Sequence, residues 1–335
     1  MPSQTIIHLI DDTTPGGVLR VVDHIRTHPK LSGDMRHEIR QIKRGGLSAP
    51  RLQGDLIVSH LAINWRALPC LMQLRALNAG IPMLHVEHSY TAGFVAHNVP
   101  SQLRFYTLLR TAYALFDKVA AVSAAQRDWM AARELVDDAR LELLRSTVDV
   151  IPFLRLPPVK RAPKVIGAIG RLDSQKGFDI LIRAFRACNR ADLRLEIFGD
   201  GAERAALEKL ASGDTRITFH GYSDNQVAIM ASVDVVAMPS RWEAYGLVAL
   251  EARAAGRGML VSGVDGLADH LRDGAQRVDS TIKGWVAALE ALDTYALAQI
   301  AHARLRAMQT PDPSIAAWSA LIAAMTAPQA TQQAA

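Results

Sequence analysis

Short apolar runs alternate with amphipathic stretches from the start of the chain. Residues Thr5–Ile10, Asp55–His60, Ile81–Val86 and Asp117–Ser123 are strand-length runs that end at polar or small residues. Between them, apolar positions recur every three to four residues, as from Trp65 to Leu77, the spacing of a helix with one buried face. Strands of this kind separated by helices predict a parallel sheet covered on both faces, because parallel neighbours need a crossover connection. The alternation then pauses at Val150–Pro163, which holds four prolines and no helical period. Proline fixes φ and withholds an N–H, so this stretch reads as a linker. The alternation restarts at Val165–Ile169 and continues through Leu193–Phe198, Ile217–His220, Val233–Ala237 and Met259–Ser262.

Two open α/β domains follow, over residues 1–155 and 156–312. A further helix is expected over 313–326, around Trp318 and packed back on the first domain, with a disordered Ala- and Gln-rich tail at 327–335. A length of 335 residues suits two domains of about 150 residues each. Open parallel sheets bind ligands beyond the carboxyl ends of their strands, so the loops after strands are where chemistry is expected.

Composition narrows the classes. The chain is 49% hydrophobic and 21% charged, ordinary for a globular protein. No run approaches the roughly 18 apolar residues of a membrane span, and Asp11-Asp12 interrupts the N-terminus before a signal segment develops. A cytoplasmic location is the expectation. Cys70 and Cys188 lie far apart without metal-ligand spacing and read as buried free thiols, and no metal site is expected. Of the net charge of +5, +4 falls in residues 1–155. That excess fits a phosphate-bearing acceptor or contact with the inner face of an anionic membrane, and equally a solvated basic surface. Nucleic acid is disfavoured, because no basic helix with interleaved aromatics is present.

The stretch Ser240–Glu251 carries two carboxylates, Glu243 and Glu251, eight positions apart, with Gly246-Leu247-Val248 between them. A helix starting near Gly246 would turn its free N–H groups and positive dipole end toward an anion. Glu243 would then stand in the loop before the helix and Glu251 more than one turn inside it, on the order of 10 Å away. A diphosphate between two polyols fits that spacing, since a carboxylate accepts hydrogen bonds from vicinal hydroxyls. An ordinary loop and helix with two solvated glutamates also fits the pair taken alone. Upstream, Gly170–Gly177 follows a strand and places Arg171 and Lys176 where two cations could neutralise a leaving diphosphate, although taken alone the pair reads as readily as a solvated turn.

Pro239–Glu251 resembles the hallmark of the retaining glycosyltransferases of family 4, also called glycosyl transferases group 1. It has the Pro-Ser, the first Glu, the Gly-hydrophobic pair and the second Glu at the family's spacings. The resemblance covers nearly the whole chain, most strongly residues 164–270. It implies the GT-B fold, two facing Rossmann-like domains with parallel sheets and an interdomain cleft. It also implies Arg171, Lys176, Gly246, Leu247 and Val248 at the donor diphosphate, Glu251 at the ribose and Glu243 at the transferred sugar. Gly199 and Gly201, with His220-Gly221-Tyr222, resemble the loops that approach the nucleotide base, although plain turns explain them nearly as well.

In the first domain Gly16-Gly17 matches the family's Gly-Gly loop, expected at the acceptor or a phosphate, and a plain tight turn explains the pair equally well. His88 matches in kind a family histidine at the transferred sugar, and an ordinary core or surface histidine is the other reading. His85 and Glu87 share a strand face while His88 stands at the loop edge. Departures occur. Ser146-Thr-Val-Asp149 stands for the usual Asn-Gly-Val-Asp, and Gly256-Arg-Gly258 for Gly-x-Pro. Asp265-Gly-Leu267 stands for Gly-Gly-Leu, which puts cleft closure in question.

The resemblance thus implies a metal-independent hexosyltransferase with Glu243 and His88 in catalysis. The donor expected is a UDP- or GDP-linked sugar acting as co-substrate, with no bound cofactor. The acceptor expected is a saccharide or lipid-linked saccharide, in bacterial cell-surface polysaccharide synthesis. A GT-B nucleotide-sugar epimerase and a non-catalytic nucleotide-sugar binding subunit stand as alternatives.

Overall fold

The computed structural model describes residues 4–14, 16–33, 35–292, 304–305, 308 and 313–327. It separates into two compact units, one of residues 1–90, 99–148 and 312–335 and one of 91–98 and 149–311. From residue 328 on, the tail expected to be disordered lies outside the described residues.

The first unit is built on six parallel strands: β1 (Gln4–Ile10), β2 (Met35–Gln41), β3 (Leu56–Ser59), β4 (Met83–Glu87), β5 (Lys118–Ala121) and β6 (Leu141–Leu143), in the order β2-β1-β3-β4-β5-β6. β3 and β4 are buried at every position, as expected of inner strands covered on both faces. β2 reads Met-Arg-His-Glu-Ile-Arg-Gln and is half to fully exposed, which suits its place at the sheet edge. The helix expected from Trp65 starts instead at Leu68 and ends at Leu77. Pro69 sits in its first turn, where a missing N–H costs nothing, and Trp65 stays 43% exposed. The terminal helix Pro313–Thr326 belongs to this unit and buries Ile315, Trp318 and Ile322.

The second unit repeats the plan with β7 (Val165–Ile169), β8 (Arg194–Phe198), β9 (Ile217–Gly221), β10 (Val235–Met238), β11 (Gly258–Val261) and β12 (Gln276–Arg277). These run parallel in the order β12-β11-β10-β7-β8-β9. Strand order reverses direction between β7 and β10, the switch point at which such sheets open a crevice. The helix Phe178–Ala187 packs Leu181, Ile182 and Phe185 onto one face with Trp285. The other face is filled by Met230, Val236, Ala249 and Ala252. Phe153, from the short helix Ile151–Leu154 inside the proline-rich stretch, joins that second cluster, which fixes the stretch to this unit. The fold is therefore α/β with two Rossmann-like units, each a parallel sheet covered by helices. Cys70 and Cys188 are both buried and free.

Candidate nucleotide-sugar site

Two loops meet at the switch point of the second unit. One follows β7 and runs through Gly170 and Arg171 to a single 3-10 turn at Ser174–Lys176. The other follows β10 and runs from Pro239 to Gly246. Gly177, at φ +66°, allows their approach: a Cβ there would lie 2.2 Å from the Pro239 carbonyl oxygen. Hydrogen bonds then lace the loops together. The Arg241 N–H donates to the Gln175 carbonyl (2.8 Å), and the Gln175 amide donates to the Trp242 carbonyl (3.2 Å). The Arg241 guanidinium grips both oxygens of Asp179, at 2.9 and 2.8 Å. That grip holds the Asp179 carboxyl below its usual range even though burial pushes the other way.

Within this frame the Lys176 ammonium lies 2.5 Å from Oε2 of Glu243, with both side chains largely buried. The Ser240 hydroxyl reaches the same carboxylate oxygen at 3.5 Å. The helix Leu247–Ala255 starts directly after Gly246, which takes φ +94°. Leu247 and Val248 are its first residues, so their N–H groups have no partner within the helix. Glu251 is the fifth helical residue and fully buried. Lys176, Glu243, Gly246, Leu247, Val248 and Glu251 thus occupy one strand-loop-helix unit and the loop beside it. Arg171 is five positions before Lys176, but its side chain is 74% exposed and contacts Gln175 (3.1 Å) and Asp173 (3.4 Å).

The loops after β8 and β9 lie alongside, with the Gly199 N–H bonded to the Gly221 carbonyl at 2.7 Å. Gly201 follows in the same loop, and the Glu203 N–H reaches back to the Leu172 carbonyl (2.9 Å). The His220 ring stacks on Phe198 at 4.5 Å and meets Glu196 at 2.5 Å, while Tyr222 is 62% exposed.

In the sequence Asp265 is a departure from the family's Gly-Gly-Leu, and in the structure it ties two segments together. It takes φ +43°, a conformation glycine adopts without strain. Its carboxylate accepts from the Thr91 hydroxyl (2.6 Å) and from the backbone N–H groups of Gly93 (3.0 Å) and Glu243 (3.3 Å). Asp265 therefore fastens the backbone of Glu243 in place. Gln175 and the Arg241–Asp179 pair have no role in the sequence reading, and Ser240 enters it only as half of the Pro-Ser. Each is a polar residue inside or beside a quoted motif, and only the folded loops show what it holds.

In the first unit, Gly16 precedes the helix Gly17–Thr27, which follows β1 at that sheet's own switch point between β1 and β3. Both glycines are exposed, and a Cβ on Gly16 would meet only the Thr14 carbonyl oxygen, at 3.6 Å. His88 stands one residue beyond β4. Its Nε2 lies 2.8 Å from Nδ1 of His60, and burial lowers its pKa to about 4. His85 and Glu87 point together into the sheet, 3.5 Å apart. Burial raises the Glu87 carboxyl, but bonds from His85 and the Ser89 and Tyr90 N–H groups outweigh it, so the net shift is downward. Among the described residues no group of three or more His, Cys, Asp or Glu is placed to hold a metal ion. No helix among them is long and apolar enough to cross a membrane.

With two Rossmann-like units and this pair of loops in view, the chain has the architecture of the GT-B glycosyltransferases. Residues 163–302 match the family model described as Glycosyl transferases group 1. An uncharacterized glycosyltransferase of Methanocaldococcus jannaschii is 38% identical over 128 residues, 36% of this chain and 33% of that protein. The D-inositol 3-phosphate glycosyltransferase of Nocardia farcinica is 29% identical over 228 residues, 58% of this chain and 49% of that protein. The chain thus spans from a third to a half of these two relatives. The crystal structure of Anabaena HepE in complex with UDP and glucose aligns with TM-score 0.70 at 18% identity, over 96% of this chain and 98% of that one.

Proposed function

We propose that the chain transfers a hexosyl group from a nucleotide-diphosphate sugar, with retention of anomeric configuration. The acceptor proposed is a hydroxyl of a saccharide or lipid-linked saccharide. The observation that carries this reading is the Lys176–Glu243 pair at the β7/β10 switch point, beside a helix N-terminus and with Glu251 buried one turn further on. A diphosphate presented to that helix end would compete for Lys176 and release the Glu243 carboxylate to accept from sugar hydroxyls. Glu251 would receive the ribose hydroxyls. Lys176, Arg171 and the amides of Leu247 and Val248 would stabilise the departing diphosphate without a metal. His88, neutral near pH 7, would bond a hydroxyl of the transferred sugar. The fold shared with HepE, whose crystal contains UDP and glucose, supports a uridine nucleotide as the first donor to try.

Synthesis of a bacterial surface polysaccharide, from the cytoplasmic side of the membrane, is the setting this reading proposes. Four of the five net positive charges lie within residues 1–155, which supports an anionic or phosphate-bearing acceptor.

Incubation with UDP-glucose, GDP-mannose and ADP-glucose, with and without saccharide acceptors, tests the reading by nucleotide release. A transferase releases nucleoside diphosphate faster when an acceptor is present. Conversion of the donor sugar with no acceptor and no dependence on one marks an epimerase instead. Binding without any turnover marks a non-catalytic subunit.

A further inference from the structure

Four histidines form a single hydrogen-bonded file across the first unit, one per strand. His37 lies on β2, His8 on β1, His60 just after β3 and His88 just after β4, and these strands are adjacent in that order. Register explains the file. Ile6 pairs with His37 and His8 with Val58, while Ser59 pairs with His85. Each histidine therefore stands two residues nearer the carboxyl edge than the residue paired with its neighbour. A step of two keeps all four on one face of the sheet. The ring centroids are 5.3, 5.3 and 5.1 Å apart along the file.

The bonds between the rings are short: His37 Nδ1 to His8 Nε2, 3.0 Å; His8 Nδ1 to His60 Nε2, 3.0 Å; His60 Nδ1 to His88 Nε2, 2.8 Å. At the far end His37 Nε2 lies 3.1 Å from the Leu31 carbonyl oxygen. That carbonyl can only accept, so His37 must carry its proton on Nε2 and offer a lone pair at Nδ1. His8 then donates through Nε2 and accepts at Nδ1. His60 and His88 follow in turn. Polarity set at Leu31 is passed through three rings and leaves His88 protonated on Nε2, with a lone pair at Nδ1, the one ring nitrogen outside the file. Because a carbonyl has no proton to give, the file conveys orientation and conducts no proton.

We propose that His37, His8 and His60 are positioning residues that fix His88 in its Nε2–H tautomer, so that its Nδ1 serves as a hydrogen-bond acceptor for a hydroxyl of the transferred sugar. The functional half of this statement rests on the glycosyl-transfer reading above; the tautomer half does not. Burial also keeps the file uncharged, holding His8 at about 3 and His88 at about 4, with His60 lowered as well. A proton added within it would put two donors face to face.

The test is long-range 1H–15N correlation on the full chain labelled at histidine, near neutral pH. All four rings are expected with Nε2 protonated and Nδ1 bare. A His88 protonated on Nδ1, or averaging between tautomers, overturns the proposal. In His37→Leu the anchor is gone, and His88 is expected to populate the Nδ1–H form. His37→Gln, whose amide both accepts and donates, should restore the wild-type tautomer. With UDP-glucose as probe, His37→Leu should lower kcat/KM for UDP release about tenfold, roughly one hydrogen bond. His37→Gln should recover most of it. A switched tautomer with unchanged kcat/KM overturns the positioning role. Absence of turnover in the wild type with every donor sinks the transferase reading, and the spectra still decide the file.

Discussion

The ammonium of Lys176 and the carboxylate of Glu243 meet at 2.5 Å across two loops that the sheet brings together at its switch point. Each partner compensates a charge that would otherwise be costly in a largely buried place. Lys176→Ala removes a cation from the proposed diphosphate site and leaves Glu243 uncompensated. The expected result is a loss of about two orders of magnitude in kcat/KM, roughly 3 kcal/mol of barrier, measured with the donor the wild type accepts. An activity within threefold of wild type would remove Lys176 from the mechanism.

Asp265 sets two effects against each other. Its φ of +43° costs about 1–2 kcal/mol relative to glycine, while its carboxylate accepts from Thr91, Gly93 and Glu243. Hydrogen bonds to a charged group contribute about 1.5–3 kcal/mol each, so the bonds outweigh the strain. Asp265→Gly should therefore be less stable than wild type despite relieving the backbone, with a lower midpoint in urea. A higher midpoint would show that the strain dominates.

Gly177 and Gly16 make a matched pair for substitution. A Cβ at Gly177 meets the Pro239 carbonyl at 2.2 Å on a backbone at φ +66°, whereas one at Gly16 meets an oxygen at an ordinary 3.6 Å. Gly177→Ala should destabilise by about 3 kcal/mol or more, because backbone must move and a non-glycine αL conformation adds strain. Gly16→Ala should leave the thermal midpoint nearly unchanged. Any loss of turnover in Gly16→Ala then reports close approach of a substrate to that loop.

Stability should depend on pH through the neutral histidines. His8, His60 and His88 have folded pKa values below their unfolded value of 6.5, and His37 and His270 are lowered too. Below pH 6.5 the unfolded chain therefore binds more protons than the folded one, and stability falls as pH falls toward about 4. Each such histidine removes up to about 1.4 kcal/mol per pH unit in that window. Unfolding midpoints followed from pH 7.5 to 4.5 should decline steadily, with a shallower slope in His8→Gln. A flat profile over this range would contradict a neutral file.

Much of this architecture was legible in the sequence, because buried parallel strands read as short apolar runs. β1, β3, β4, β5 and β7 to β11 fall within a few residues of the runs that announce them. The edges were not legible. β2 carries Arg36, His37, Glu38 and Arg40, and exposure at the sheet edge permits such residues without an apolar pattern. β6 and β12, of three and two residues, are too short to show any period. The site divides in the same way. Glu243, Gly246 and Glu251 are local in sequence and share one loop and helix, so spacing alone suggests their relation. The partners that hold them are remote: Asp179 grips Arg241 from 62 positions away, and Asp265 reaches Thr91 across 174. The histidine file is less visible still, since it depends on register between four strands, which no single segment contains.

Isothermal titration of UDP, GDP and ADP into the wild type and into Glu251→Gln tests the central claim most directly. Glu251 is fully buried within the helix that begins at the proposed phosphate site, and glutamine keeps its shape while replacing one acceptor oxygen with a donor NH2. At least one nucleotide should bind the wild type, and its affinity should fall about tenfold in the variant, roughly the worth of one hydrogen bond. A wild-type protein that binds none of the three, or a variant that binds as tightly as wild type, would contradict the account.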